Sequence, residues 1–402
     1  MISDNKQQIK EVLGRGVEKI YPSKKSLEEK LNSNKKIKLY CGYDPTAESL
    51  HIGHAITLRK LSQFQKLGHK IIMLIGDFTG MIGDPTDKTS ARKKLSREEV
   101  LKNSKNYKKM AAKILDFNGK NPAEIKHNSK WQDKLSYTDI IELSSYFTVQ
   151  QMIIRDMFQE RLKKEKPIYL HEFLYPLSQA YDSVAMDIDL EVGGNDQTFN
   201  MLCGRDLMRQ MKNKEKFVLT TKLLTDAAGK KMGKTEGNMV NLDEEPKEMF
   251  GKIMSWPDEI IIPAFELVTG LPLQEIEQME KLIKKGELNP RDAKAKLAKE
   301  IVSIHHNRQD SEEAELEFEK IFKNKEIPTE IEEYKIKKDK YNLIDLLIET
   351  GLVPSNSEAK RLIKQGAVKL NNKKIDNFKE EIKIEKETIL QVGKRKFIKL
   401  VF

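Results

Sequence analysis

Two histidines three residues apart, His51 and His54, open a run of helix formers at residues 55–61 and share one side of its first turn, with Gly53 between them. The first N–H groups of a helix point outward with partial positive charge, and Gly53 would let a ligand approach them, which makes a site for an anion. Read alone, the pair is equally a metal half-site or two surface residues. A second cluster, Gly229-Lys230-Lys231-Met232-Gly233-Lys234-Thr235-Glu236-Gly237-Asn238, sets Lys231 and Lys234 on long cationic stems in a glycine-rich loop. Such a loop suits closing over a polyphosphate. Its Gly233-Lys234-Thr235 lacks the leading glycine of a P-loop, so alone it reads as well as a chance basic loop.

The elements that must position these residues are legible nearby. Residues 36–40 alternate like a strand, and Tyr40-Cys41-Gly42-Tyr43-Asp44-Pro45-Thr46 turns the chain toward His51. Lys70-Ile71-Ile72-Met73-Leu74-Ile75-Gly76 reads as a strand buried on both faces of a parallel sheet. Strand, helix and strand form a βαβ unit, whose ligands collect at the carboxyl ends of the strands. The turns at 41–46 and 77–85 both fall there. Residues 1–34 read as helical leader segments. Residues 95–167 read as helical, with Ser96 and Glu99 as a capping box and an apolar cluster of Ile140, Ile141, Leu143, Phe147, Met152 and Ile153. That cluster packs either on a second copy of the chain or on the first domain. The sheet is expected to resume near 184–192, and a helical region to run over 244–322.

The resulting fold class is α/β. A Rossmann-like parallel-sheet catalytic domain (1–240) carries the helical insertion (about 86–167). An α-helical domain (241–325), a linker (326–340) and a small α+β module (341–402) follow. In the last, 343–348 is a helix stopped at Gly351, Ser355 and Glu358 cap a second helix ending at Gly366, and 368–375 is a hairpin. The 402 residues carry a net charge of +10, and from 336 onward 16 Lys/Arg face 9 Asp/Glu. A basic module suits a phosphate-rich partner, although a Lys-rich solvated surface has the same composition. Only Cys41 and Cys203 are cysteines, which excludes a disulfide framework and a zinc ribbon. With no signal-like or membrane-spanning run, the expected address is cytoplasmic.

Taken together, the two phosphate-handling segments resemble those of class I aminoacyl-tRNA synthetases: His51-Ile52-Gly53-His54 is the first signature, and Lys231-Met232-Gly233-Lys234-Thr235 stands at the KMSKS position. Gly233 and Thr235 depart from the strict form, but both lysines remain. Tyr175-Pro176-Leu177-Ser178-Gln179-Ala180-Tyr181-Asp182 and Gly193-Gly194-Asn195-Asp196-Gln197 resemble the amino-acid-binding segments of tyrosyl-tRNA synthetases. The resemblance implies that Tyr40 and Asp182 contact the substrate phenol. It places Tyr175, Gln179, Asp84 and Thr79 around the α-amino group and Gln197 at the carboxylate end. Thr46 and His51 would meet the terminal phosphates of ATP. Cys41, Gly42, Asp44, Gly53, His54, Gly194 and Asp196 would line the nucleotide side, with Thr57 close by.

The implied reaction activates L-tyrosine with ATP to tyrosyl-adenylate and pyrophosphate, then esterifies the 3′-terminal adenosine of tRNA(Tyr). An ionised carboxylate needs no general base, so catalysis would be positioning plus charge stabilisation by His51, His54, Thr57, Lys231 and Lys234. Mg²⁺ would arrive on ATP, and no protein-bound metal is expected. The tail resembles a small RNA-binding module, with Lys360, Arg361, Lys364 and Lys369 toward the tRNA backbone. The family also implies a homodimer and no membrane partner. Rival readings are a tryptophan-loading sister, an RNA-binding descendant without chemistry, and a nucleotidyltransferase of the same superfamily.

Overall fold

Ile71, Ile72, Met73, Leu74 and Ile75 are all buried, as an unbroken apolar run in a parallel sheet should be. The structure is a computed structural model and describes residues 2–33, 35–86, 94–225, 239–322, 331–336, 338, 340–371, 373–375, 377, 381–384, 388–393 and 396–401. Its main sheet has six strands: β1 (Val17–Tyr21), β2 (Lys38–Tyr43), β3 (Lys70–Ile75), β4 (Glu124–His127), β5 (Leu190–Gly194) and β6 (Phe217–Thr221). Their order is β1-β6-β5-β2-β3-β4, and only β1 is antiparallel to its neighbour. From β2 the chain winds out to β3 and β4 on one side and later adds β5 and β6 on the other. The order therefore reverses between β2 and β5. The carboxyl ends at that switch point are where a doubly wound sheet binds ligands.

Three expectations need correction. The segment read as wholly helical contains β4, which pairs in parallel with β3. With only four residues, Glu124, Ile125, Lys126 and His127, it is an edge strand too short and polar to show as an apolar run. The leader also holds a strand, β1, fixed because Arg15 beside it donates four hydrogen bonds of 2.7–3.1 Å to carbonyls of Phe265, Glu266, Thr269 and Leu271. Finally, Val184 belongs to the helix His171–Met186; the strand expected near 184–192 begins only at Leu190.

The chain divides into two compact units, Met1–Ser311 and Glu312–Phe402. The helical region as far as Ser311 is part of the first, with helices Pro246–Met254, Ile261–Val268, Leu273–Lys284 and Pro290–His305 packed around buried Phe250, Trp256, Phe265 and Ile301, while its last helix, Arg308–Phe322, spans the division. In the second unit β7 (Glu333–Lys335), β9 (Val368–Leu370), β10 (Lys373–Lys374), β12 (Thr388–Val392) and β13 (Lys396–Val401) form one sheet, and β8 (Lys340–Asn342) pairs with β11 (Glu381–Lys383). The stretch 326–340, read as a linker, thus contains β7, which runs parallel to β13. Three mostly charged residues gave no strand signal. Helices Leu343–Glu349 and Asn356–Lys364 and the β9–β10 hairpin stand where the sequence put them, around buried Leu346, Ile363, Leu390 and Leu400. Among the described residues no helix is long and apolar enough to cross a membrane, and no group of three or more His, Cys, Asp and Glu is arranged to hold a metal.

Candidate active site

Tyr40 is on β2 opposite Glu191 of β5, at the switch point, and both are buried. Its hydroxyl is 3.0 Å from Ser183 Oγ on the helix His171–Met186. The next residue back, Asp182, is 2% exposed. Its Oδ1 accepts from Trp131 Nε1 (2.7 Å) and Gln132 Nε2 (2.8 Å), and its Oδ2 from Asn128 Nδ2 (3.2 Å). Burial pushes this carboxyl up to about 7, and the three donors pull against that rise. Burial, aided by the Glu191 and Asp182 carboxylates, also pushes the Tyr40 phenol well above its ordinary value. Tyr40 and Asp182 thus lie close together among buried polar groups.

A second set lies beside it. Asp44, at the end of β2, accepts from Thr79 Oγ1 (2.7 Å) and Tyr175 Oη (2.7 Å), and Asn128 Nδ2 also donates to Thr79 (3.0 Å). The resemblance put Asp44 on the nucleotide side; the structure joins it to the residues expected around the α-amino group, because both hydroxyl donors end on its carboxylate. Asp84 accepts from Gln197 Nε2 (2.8 Å) and, through its other oxygen, from Thr86. Gln179, one helical turn beyond Tyr175, donates to Glu191 Oε1 (2.9 Å).

At the helix Ile52–Lys66 the expectation of outward-facing backbone donors fails. Ile52 N donates to Val240 O (2.9 Å), Gly53 N to His51 Nδ1 (3.1 Å) and His54 N to His51 O (2.8 Å). His51 N in turn donates to His54 Nδ1 (3.1 Å), closing a reciprocal capping box built from two imidazoles. Gly53 serves that box: a Cβ there would lie 2.9 Å from His51 Cε1. The rings overlap, centroids 3.9 Å apart. Since each Nδ1 accepts, a neutral ring carries its proton on Nε2, so an anion here would meet imidazole donors and not the peptide N–H groups.

Thr57 is buried, donating to His54 O (3.1 Å) and lying 3.0 Å from Tyr43 Oη. Cys41 is buried on β2, its thiol pushed up to about 12, chiefly by burial, with Asp196 close enough to add to the rise. Gly42 is exposed with open space beside it, Thr46 is half-buried past the turn, and Gly194 ends β5 against Asp196. Lys231 and Lys234 lie outside the described residues. In the second unit Lys360, Arg361 and Lys364 are exposed along one helix and Lys369 is half-buried on β9; Glu358 pairs with Arg361 and offsets its charge.

Sequence reasoning missed Asn128, Trp131, Gln132, Ser183, Glu191 and Lys216. The first three follow β4 directly, so their signal was lost with that strand. Nothing in the sequence marks Glu191 and Lys216 as buried; only tertiary pairing shows it.

Two family models match the chain: tRNA synthetases class I (W and Y) over residues 32–323, and the tyrosine–tRNA ligase SYY-like C-terminal domain over 317–400. Curated relatives include the tyrosine–tRNA ligase of Carboxydothermus hydrogenoformans, 45% identical and covering 100% of this chain and 99% of its own. That of Haemophilus influenzae is 44% identical, covering 96% and 95%. Among solved structures, a C-terminally truncated mitochondrial tyrosyl-tRNA synthetase from Aspergillus nidulans superposes with TM-score 0.66 at 22% identity, covering 78% of this chain and 94% of its own. A tyrosyl-tRNA synthetase from Archaeoglobus fulgidus, complexed with L-tyrosine, gives 0.61 at 21%, covering 78% and 100%. At these identities the structures speak for the fold alone.

Proposed function

The chain belongs to the class I tRNA synthetases, in their tyrosine–tRNA ligase branch, and we propose from that premise how its residues divide the work. It activates L-tyrosine with ATP and charges tRNA(Tyr). The observation that carries the amino-acid assignment is Asp182, buried beside Tyr40 with three donors on its carboxylate. The substrate hydroxyl donates to Asp182 and accepts from Tyr40. Phenylalanine would leave the bonds of Tyr40 and Asp182 to the substrate hydroxyl unmade, at about 1–3 kcal/mol each and more for a charged one. A substrate indole offers no hydroxyl to pair with them.

Asp44, Thr79, Asp84, Tyr175 and Gln179 hold the ammonium, and Gln197 the carboxylate end. This orients one carboxylate oxygen for attack on the α-phosphate, with no covalent enzyme intermediate. The new O–P bond forms as the bond to pyrophosphate breaks. His51 and His54, donating through Nε2, and Lys231 and Lys234 stabilise charge on the departing phosphates. Thr46 supports the phosphates, and Cys41, Gly42, Gly53, Gly194 and Asp196 shape the nucleotide side. Thr57 acts by fixing Tyr43 and the helix tip. ATP enters as its Mg²⁺ complex. Lys360, Arg361, Lys364 and Lys369 attract the tRNA backbone, and the enzyme works in the cytoplasm.

The insertion supports a homodimer. Leu143 and Met152 are buried against the helices His171–Met186 and Thr198–Lys212, while Ile141, Val149 and Ile154 stay exposed, as do Tyr137 (81%) and Leu170 (82%). An apolar face of this kind suits a second copy of the chain. The test is an amino-acid-dependent ATP–pyrophosphate exchange panel. Tyrosine alone should support exchange; exchange with tryptophan, or with no amino acid, would refute the assignment.

A further inference from the structure

Behind the pocket lies an ion pair to which the reaction as described gives no task. Lys216, just before β6, is 0% exposed, and its ammonium pairs with the Glu191 carboxylate on β5. The remaining ammonium hydrogens reach Ser183 Oγ (2.9 Å) and Met201 O (3.2 Å), so all three donors are used. The backbone makes room for it: a Cβ at Gly204 would lie 2.5 Å from Lys216 Nζ and 3.0 Å from Ser183 Oγ. A buried pair of this kind is seldom kept for stability, since apolar residues of the same volume serve as well or better.

Its contacts run toward the substrate. As the carboxylate partner of the Lys216 ammonium, Glu191 accepts, and Gln179 presents its NH₂ to Glu191 Oε1 at 2.9 Å. The amide is thereby locked with its carbonyl oxygen available as an acceptor. Lys216 can only donate, so Ser183 Oγ accepts from it and turns its own hydrogen to Tyr40 Oη (3.0 Å). Tyr40, whose phenol also lies within hydrogen-bonding reach of the Glu191 side chain, is held on this network from both sides.

We propose that the Lys216–Glu191 pair is a positioning device that sets the hydrogen-bond polarity of the amino-group side of the tyrosine site, making Gln179 an acceptor for the substrate ammonium. The proposal rests on the tyrosine-ligase reading. Without the pair, Gln179 can turn its NH₂ toward the ammonium and repel it. The pair is therefore a specificity determinant for an amino acid over its amine-free counterpart, acting through Gln179 and without touching substrate.

The test compares equilibrium binding of L-tyrosine with that of 3-(4-hydroxyphenyl)propionate, which lacks the ammonium. The full-length protein and the variants Glu191→Gln and Glu191→Gln/Lys216→Met are used. The double variant removes both charges together and leaves no lone buried ion. The preference for tyrosine should fall roughly 10- to 100-fold in the variants, the range expected for a hydrogen bond to a charged group, while the propionate binds nearly as before. A merely structural role would weaken both ligands in parallel and leave their ratio unchanged, which would overturn the proposal. A crystal of the unmodified protein with tyrosine gives an answer even if neither variant folds. The substrate nitrogen should face Gln179 while Gln179 still bonds Glu191; a nitrogen turned elsewhere, or a broken Gln179–Glu191 contact, overturns the idea. If the unmodified protein supports no tyrosine-dependent exchange, the failure lies instead with the ligase reading.

Discussion

The two ends of the site solve opposite problems. At the phenol end the polar groups are buried or half-buried and already hydrogen-bonded: Asp182 takes three donors, Glu191 takes Gln179 and Lys216, and Tyr40 is 1% exposed. At the phosphate end the described groups sit on a helix tip and beside the exposed Gly42, and the reciprocal cap of His51 and His54 holds the tip. Dry, pre-satisfied polar groups penalise a ligand that fails to match them, so that end selects. A helix tip near the surface admits a highly charged, hydrated ligand and adds stabilisation as charge develops, so that end accelerates.

The sharpest way to break this division is to remove the acceptor at the dry end. Asp182→Ala removes an acceptor of Trp131, Gln132 and Asn128 as well as that of the substrate hydroxyl. Its kcat/KM for tyrosine should fall on the order of 10³-fold, with KM for ATP little changed. A comparable loss in ATP binding would erase the distinction. Next in size, His51→Asn keeps a side-chain oxygen to cap Gly53 but loses the Nε2 donor. Pre-steady-state adenylate formation should slow roughly 10²-fold while tyrosine affinity holds. Tyr40→Phe should weaken tyrosine binding about tenfold and bring phenylalanine closer to tyrosine in the exchange assay.

The smallest effect is that of pH. The ionised Asp182 accepts the phenol hydrogen more strongly than the protonated acid does, so tyrosine affinity should rise a few-fold as pH passes about 7, and Asp182→Asn should flatten the profile. For stability the sign is reversed. The folded carboxyl titrates above the unfolded one, so Asp182 takes up a proton on folding between about pH 4 and 7. Its contribution is fully present below that window and lost as pH rises through it, which melting curves of protein and variant across the range would show.

The same comparison explains what could be read from sequence. The phosphate end is local: a turn, two histidines and a glycine within a few residues, visible without tertiary knowledge. Even so, the role of Gly53 came out differently, because only the folded backbone shows the His51 ring resting against it. The phenol end is assembled from β2, β5, the helix His171–Met186 and the segment after β4. Tyr40 and Asp182 were found through resemblance, whereas Asn128, Trp131 and Gln132 were hidden by an edge strand with no apolar run. Lys216 and Glu191 were hidden because a buried ion pair and two surface charges look alike in a chain so rich in charge.

A double-mutant cycle on tyrosyl-adenylate formation tests the division most directly, with Tyr40→Phe at one end of the site and His51→Asn at the other. If selection and acceleration are separate, the two losses add, and the double variant falls within about twofold of their product. A double variant no worse than His51→Asn alone, or one many times worse than the product, would show that the two ends act as a single unit and would contradict the account.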